Sequence, residues 1–150
     1  MEDRREFRKM GMAGIGIIKS VFRDVFTGEP WKDDWSDDRQ LHQYLTDLAG
    51  QSNSLTFGLF DAGSLIAVSM GHIKHWYTGT EYYIEEFFVR TEKQKSGIGT
   101  CFIKKVEEEI KKMGLTRIFL QTENDMPAYD FYRKNGYHEL NSHVSFVKKI

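Results

Sequence analysis

The stretch Gln94-Lys95-Ser96-Gly97-Ile98-Gly99-Thr100 joins a hydrophobic segment to a long amphipathic one, and its reading decides the fold. Upstream, Tyr82-Tyr83-Ile84-Glu85-Glu86-Phe87-Phe88-Val89 is aromatic and β-branched, the composition of a strand. Downstream, Phe102, Val106, Ile110 and Met113 recur at helical spacing until Gly114 ends the run. Two glycines at such a junction let the backbone turn tightly and direct its N–H groups toward one point. With the positive end of the helix behind them, those donors form a site for phosphate, as in the pyrophosphate of a cofactor.

Working outward, Arg5 to Met10 reads as a short edge strand. Ile15, Ile18, Val21, Phe22, Val25 and Phe26 fall three or four apart and predict a first helix, which Thr27-Gly28-Glu29-Pro30-Trp31 breaks. Ser36 or Asp37 can cap a second helix with the apolar stripe Leu41, Tyr44, Leu45 and Leu48, closed by Gly50. The periodicity then changes. Ser54 to Phe60 and Leu65 to Tyr77 read as strands joined by a turn, and Thr78-Gly79-Thr80 turns again into the strand that begins at Tyr82. Beyond the central helix come a strand over 116–122, a helix opened by Pro127 and ended by Asn135-Gly136, and a closing hairpin with strands over 137–140 and 143–147. The expected fold is α/β of the α+β kind: a mostly antiparallel mixed sheet of about six to seven strands flanked by about four helices. With no repeat, low-complexity segment or linker, one domain is expected over 1–150.

Composition narrows the classes. A length of 150 residues, 40% hydrophobic and 29% charged, suits one ordinary globular domain. A net charge of −1 and the lack of any Lys/Arg block leave no electrostatic case for nucleic acid. No apolar run approaches the ~20 residues of a membrane span, and the charged start Met1-Glu2-Asp3-Arg4-Arg5 does not look like a signal peptide. A single cysteine, Cys101, excludes an internal disulfide and fits a reducing compartment, so a cytoplasmic location is expected. Cys101 itself reads as a small helical residue rather than a nucleophile. The five histidines show no ligand spacing, so no metal is expected.

Glycines after a strand also occur in P-loop and dinucleotide-binding proteins, but neither pattern is present: no Gly-Lys-Ser/Thr follows, and Gly97-Ile98-Gly99 continues as Thr100-Cys101-Phe102. The stretch instead resembles the Gln/Arg-x-x-Gly-x-Gly/Ala signature with which the GNAT acetyltransferase superfamily holds acetyl-coenzyme A. A second family segment, roughly Asn-x-x-Ala-x-x-x-Tyr-x-x-x-Gly-Phe, is similar to Ala128-Tyr129-Asp130-Phe131-Tyr132-Arg133-Lys134-Asn135-Gly136-Tyr137. Ile84-Glu85-Glu86-Phe87-Phe88-Val89 looks like the Glu-Asp-Phe-Phe-Val strand of spermidine/spermine acetyltransferases, and aminoglycoside 6′-N-acetyltransferases carry an acid at the Glu85 position. With the element order, the resemblance covers nearly the whole chain.

The resemblance implies acetyl-CoA as cofactor. The backbone of Phe87, Phe88 and Val89 would pair with its pantetheine arm. Gln94, Lys95, Ser96, Gly97, Ile98, Gly99 and Thr100 would hold the pyrophosphate. The family's Asn falls on Asp125, with Asn124 beside it, so either residue can take that contact. Tyr132 would sit near the sulfur. Homodimers are frequent among such enzymes, which makes one an option here.

The chemistry of acetyl transfer to an amine sets further demands. An alkyl ammonium must lose a proton, and the leaving thiolate must gain one. Glu85 is the candidate base and Tyr132 the candidate acid. The ordinary readings are an ion-paired surface carboxylate and a core aromatic. Strand alternation is expected to place Glu85 and Glu86 on opposite faces, so only one faces the acceptor. Trp31, Asp34 and Trp35, with Glu86 and Trp76, suit a cationic acceptor through cation–π and ionic contacts. The same acidic segment also suits an ordinary helix start. The expectation is an N-acetyltransferase of a small cationic amine, aminoglycoside-like or polyamine-like. A protein lysine or N-terminal acetyltransferase and a non-catalytic acyl-CoA-binding regulator are the alternatives.

Overall fold

The computed structural model describes residues 4–150. The described chain runs β1 (Arg5–Met10), α1 (Ile15–Phe26), α2 (Asp38–Ala49), β2 (Ser54–Asp61), β3 (Ser64–Trp76), β4 (Gly79–Val89), α3 (Ile98–Lys112), β5 (Arg117–Leu120) and α4 (Pro127–Lys134). The sheet follows chain order, β1-β2-β3-β4-β5. Its first four strands are antiparallel neighbours, while β5 lies parallel to β4 because α3 carries the chain back across the sheet.

Each face of the sheet buries its own apolar cluster. Ile18, Val21, Phe22, Val25 and Phe26 of α1 and Leu41 and Leu45 of α2 pack on Val68, Met70 and Phe88. On the other face, Phe102, Ile103, Val106 and Ile110 of α3 pack on Leu55, Phe57, Tyr82 and Ile84. Spacings of three and four explain why these helices form: each presents one apolar stripe to the sheet and a polar face to water. Asp37 caps α2 by accepting from the N–H groups of Arg39 and Gln40.

The sheet has five strands among the described residues, fewer than the six to seven the sequence suggests. The shortfall is the closing hairpin. Asn141-Ser142 does turn, but residues 137–140 and 143–147 form no ladder. Val144, Phe146 and Val147 are exposed. Two short strands without a sheet or helix to bury one face gain too little to pair.

Two β-bulges interrupt the regular pairing, and the second shapes the site. Met70 lies opposite Glu86 and Gly71 opposite Ile84, so Glu85 is an extra residue in β4. Gly71 is what permits this approach: a Cβ there would fall 2.0 Å from the Tyr83 carbonyl oxygen.

Candidate active site

The first half of the site is an open strand edge leading into the Gln94–Thr100 turn. β4 stays paired with β3 as far as Val89, opposite Ala67, but its pairing with β5 ends at Ile84, opposite Leu120. Among the described residues, 85–89 therefore have strand partners on one side only. The Arg90 N–H donates to the Ile66 carbonyl. By alternation the Phe88 N–H also turns toward β3, while Phe87 and Val89 turn theirs to the open edge. Of the three residues expected to offer backbone there, Phe88 places its ring in the α1/α2 core. Gln94 belongs to the same edge, since its Nε2 donates to the Val89 carbonyl at 2.9 Å.

The turn itself is built by two left-handed residues, Lys95 at φ 61° and Gly97 at φ 81°. Gly97 is the N-cap of α3, with no side chain capping the helix and no acid in its first turn. The first backbone bond of the helix is Cys101 N–H to the Gly97 carbonyl. Ile98, Gly99 and Thr100 thus leave N–H groups unpaired among the described residues, at the positive end of a 15-residue helix. Gly99 serves a different purpose. A Cβ there would lie 3.1 Å from Phe131, so its smallness lets α4 pack against the start of α3. Ser96 braces the turn by donating to the Lys93 carbonyl.

The second half of the site lies on the α1/α2 face, and the bulge builds it. Tyr83 stacks on His72, and the Glu85 carboxylate is 3.9 Å from His72 Nδ1, in a cleft shared with Asp47, Leu48 and Gln51 of the α2 end. One residue later, Glu86 accepts a 2.5 Å hydrogen bond from the Tyr44 hydroxyl of α2. Phe87 then points the other way, stacked between Phe102 at 5.3 Å and Phe131 at 5.7 Å. The two glutamates therefore share one face. This corrects the alternation argument, which fails at a residue the ladder skips.

Burial pushes the Glu86 carboxyl up to about 7; the Tyr44 hydrogen bond opposes that rise, and the charges of Glu85 and Asp33 add to it. The aromatic surroundings are tightly connected. Phe22 meets Trp35, Tyr44 and Phe88 edge-on, and Trp35 stacks on Tyr44 at 5.4 Å. Trp31 packs on Phe26 at 5.5 Å. The Trp35 indole N–H is buried with no partner among the described residues.

The acids of the 33–38 segment divide their tasks. Asp34 accepts from the Ser36 N–H. Asp38 bridges Lys19 at 2.6 Å and Arg23 at 2.7 Å, which hold its carboxyl down at about 2. Asp33 is the one whose charge reaches Glu86.

Tyr132 of α4 closes the arrangement. It is 8% exposed, within 6.3 Å of Phe87, 5.1 Å of Phe131 and 5.4 Å of Tyr137, ring to ring. Its hydroxyl makes no hydrogen bond among the described residues, and burial, then the Glu86 charge, raises its pKa well above the ordinary phenol value. It stays protonated and available as a donor.

The structure does not bring every expected residue together. Asn124 and Asp125 are exposed in the turn before α4. Trp76 stands at the far end of the β3–β4 hairpin, under Lys74 at 4.3 Å. Six residues of strand separate it from Met70, which faces Glu86. That is about 20 Å, too far to line the same site. Sequence reading missed Tyr44 and Asp33. Tyr44 was hidden in a helical apolar stripe, whereas Gly71 inside a hydrophobic strand was a signal for the bulge.

The model of the Acetyltransferase (GNAT) family matches residues 17–137. No curated protein sequence matches the chain. Among solved structures, an aminoglycoside acetyltransferase from an uncultured soil metagenomic sample, in complex with sisomicin, superposes with a TM-score of 0.74 at 19% identity, over 98% of this chain and 97% of that one. AAC(6')-Iy, in complex with a bisubstrate analogue of CoA and acetylneamine, gives 0.73 at 16% identity over 97% and 99%. A possible acetyltransferase from Clostridium difficile 630 gives 0.81 at 15% identity over 97% and 98%. At these identities the likeness is one of fold.

Proposed function

Because this chain belongs to the acetyltransferase (GNAT) family, we propose that it transfers the acetyl group of acetyl-CoA to a primary amine of a small cationic molecule, aminoglycoside-like ahead of polyamine-like. The observation that carries this reading is the meeting of an open β4 edge and an uncapped helix start with an acidic pair and a buried, protonated tyrosine. The aminoglycoside class is favoured because structures of the same fold are described with sisomicin and with an acetylneamine analogue.

The residues present fit the cofactor. The N–H groups of Ile98, Gly99 and Thr100 form a concave set of donors for pyrophosphate, with Lys95 adjacent and no acid in the first turn to oppose an anion. The open edge of Phe87 and Val89 accepts an extended amide chain as an added strand would. Asn124 or Asp125, in the turn before α4, takes a further contact. Bound there, acetyl-CoA supplies the thioester carbonyl that the amine attacks.

This chain's own groups do the rest. Asp33, Glu85 and Glu86 draw an ammonium to the α1/α2 face, between the aromatic walls of Trp31 and Trp35. A carboxylate of the Glu85/Glu86 pair takes the ammonium proton, freeing the lone pair for attack. The Val89 N–H, turned to the open edge, polarises the carbonyl oxygen. Tyr132, buried and protonated, would supply the proton that the coenzyme sulfur takes up when the C–S bond breaks and the C–N bond forms.

Free CoA release from acetyl-CoA, measured against a panel of aminoglycosides, polyamines and peptides, tests the reading. Turnover with sisomicin or a related aminoglycoside is expected. Tyr132→Phe should lower kcat about a hundredfold with acetyl-CoA affinity unchanged. Calorimetry that finds no acetyl-CoA binding sinks the proposal, and turnover confined to peptides moves it to protein acetylation.

A further inference from the structure

We propose that Tyr44 is a positioning residue of the reaction, fixing Glu86 so that Glu86 rather than Glu85 takes the proton of the acceptor amine while Glu85 anchors it. This rests on the acetyltransferase reading above and divides the labour between two adjacent carboxylates.

Three observations separate them. Glu86 has a fixed hydroxyl donor at 2.5 Å, whereas Glu85 has the His72 Nδ1 at 3.9 Å, beyond hydrogen-bond distance. Glu86 lies between the two halves of the site: Tyr44 touches it from α2, and its charge is felt at Tyr132 on α4. Glu85 opens instead on the cleft by Asp47, Leu48 and Gln51, where an anionic rim suits holding a cation. A base that is charged near neutrality but not strongly acidic matches the task better than an ordinary surface carboxylate. The value of about 7 for Glu86 meets that requirement.

The position of Tyr44 is itself overdetermined. Its ring is stacked on Trp35 at 5.4 Å and met by the edge of Phe22 at 6.1 Å. Burial and the nearby Glu86 raise its pKa far above the working range, so it acts only as a hydrogen-bond donor. Among the described residues, the charged and titratable groups that reach Glu86 are Tyr44 from α2, Glu85 beside it on β4, Asp33 from the segment before α2 and Tyr132 from α4. Met70, opposite Glu86 on β3, carries no charge, and neither does Phe22 of α1, whose ring edge meets Tyr44. Of the four, only Tyr44 holds the ionised carboxylate in place; the others repel or merely border it. Removing its hydroxyl therefore makes Glu86 harder to ionise.

The test is Tyr44→Phe, which keeps the ring on Trp35 and deletes the donor. The midpoint of the Glu86 side-chain carbon resonance is followed by NMR titration without ligands, and kcat/KM for sisomicin is followed against pH. Expected is an upward move of about one pH unit in both the midpoint and the acid limb of the profile. Glu86→Gln should lower kcat at least about a hundredfold. Glu85→Gln should raise KM for the acceptor and leave the limb in place. An unmoved midpoint in Tyr44→Phe overturns the positioning role, and loss of the acid limb in Glu85→Gln overturns the choice of Glu86. The titration needs neither acetyl-CoA nor acceptor. A shifted midpoint in a protein without acetyl transfer thus removes the enzymatic reading and with it the base role, while normal turnover with an unshifted limb removes this inference alone.

Discussion

The Gln94–Thr100 turn and the α1/α2 face meet at the same strand, β4, but they are made in different ways. The turn is a run of adjacent residues: Lys95 and Gly97 take left-handed backbone angles, and three N–H groups follow because a helix begins there. The α1/α2 face is assembled from Phe22, Asp33, Trp35, Tyr44, Glu85 and Glu86, brought together by two helices, a loop and a bulge. A site of backbone donors tolerates changes in the side chains around it. A site of buried side chains depends on every element that packs against it. The cofactor half should therefore survive damage that removes the acceptor half.

Phe22→Ala is the strongest way to break that contrast. Phe22 is buried at 1% exposure and joins Trp35, Tyr44 and Phe88. Its loss should destabilise the fold by about 3–5 kcal/mol in urea titrations. Acceptor turnover should be lost while the folded fraction still binds acetyl-CoA. Loss of that binding in step would show the two halves to be one unit.

The next effect is in the pH dependence of stability. Glu86 is raised from 4.5 to about 7 in the folded protein, so between those values the folded state holds a proton the unfolded state has released. The stability that Glu86 contributes is then fully present below about 4.5 and is lost as pH rises through about 7, an amount on the order of 3 kcal/mol. Glu86→Gln should flatten this slope, and urea midpoints at pH 5 and pH 8 measure it. A smaller effect is expected on the cofactor side: Gly97→Ala places a Cβ at φ 81°. The strain of about 1 kcal/mol should weaken acetyl-CoA binding several-fold with the acceptor KM unchanged. The smallest is Asp38→Asn, which removes ion pairs from an exposed carboxylate to Lys19 and Arg23. A melting shift of about a degree, vanishing at high salt, is expected.

Much of the local structure of the proposed cofactor half was legible in advance. The glycine spacing, the apolar stripe of α3 and the aromatic helix carrying Tyr132 are local patterns, and each formed where its period placed it. Gln94 and Gly99 were legible as motif members but not in their tasks, since one ties the turn to Val89 and the other makes room for Phe131. The acceptor half was legible only as a composition of acids and aromatics. Asp34 and Asp38 turned out to be occupied locally, Asp33 and Tyr44 were passed over, and Trp76, at the end of its strand as expected, stands far from Glu86. The closing hairpin failed because a turn signal does not supply a sheet to pair with.

By itself the sequence determined the order of elements, the start of α3 and the left-handed turn before it. These depend on backbone angles and apolar periods that neighbouring residues set among themselves. Only the tertiary structure decided that Glu85 and Glu86 share a face, that Tyr44 reaches one of them and that Asp33 adds its charge. Those outcomes follow from a one-residue slip in pairing between β3 and β4, accommodated by the bare backbone of Gly71. The ionisation of a carboxylate depends on what buries it, and for Glu86 that is a helix more than forty residues earlier in the chain.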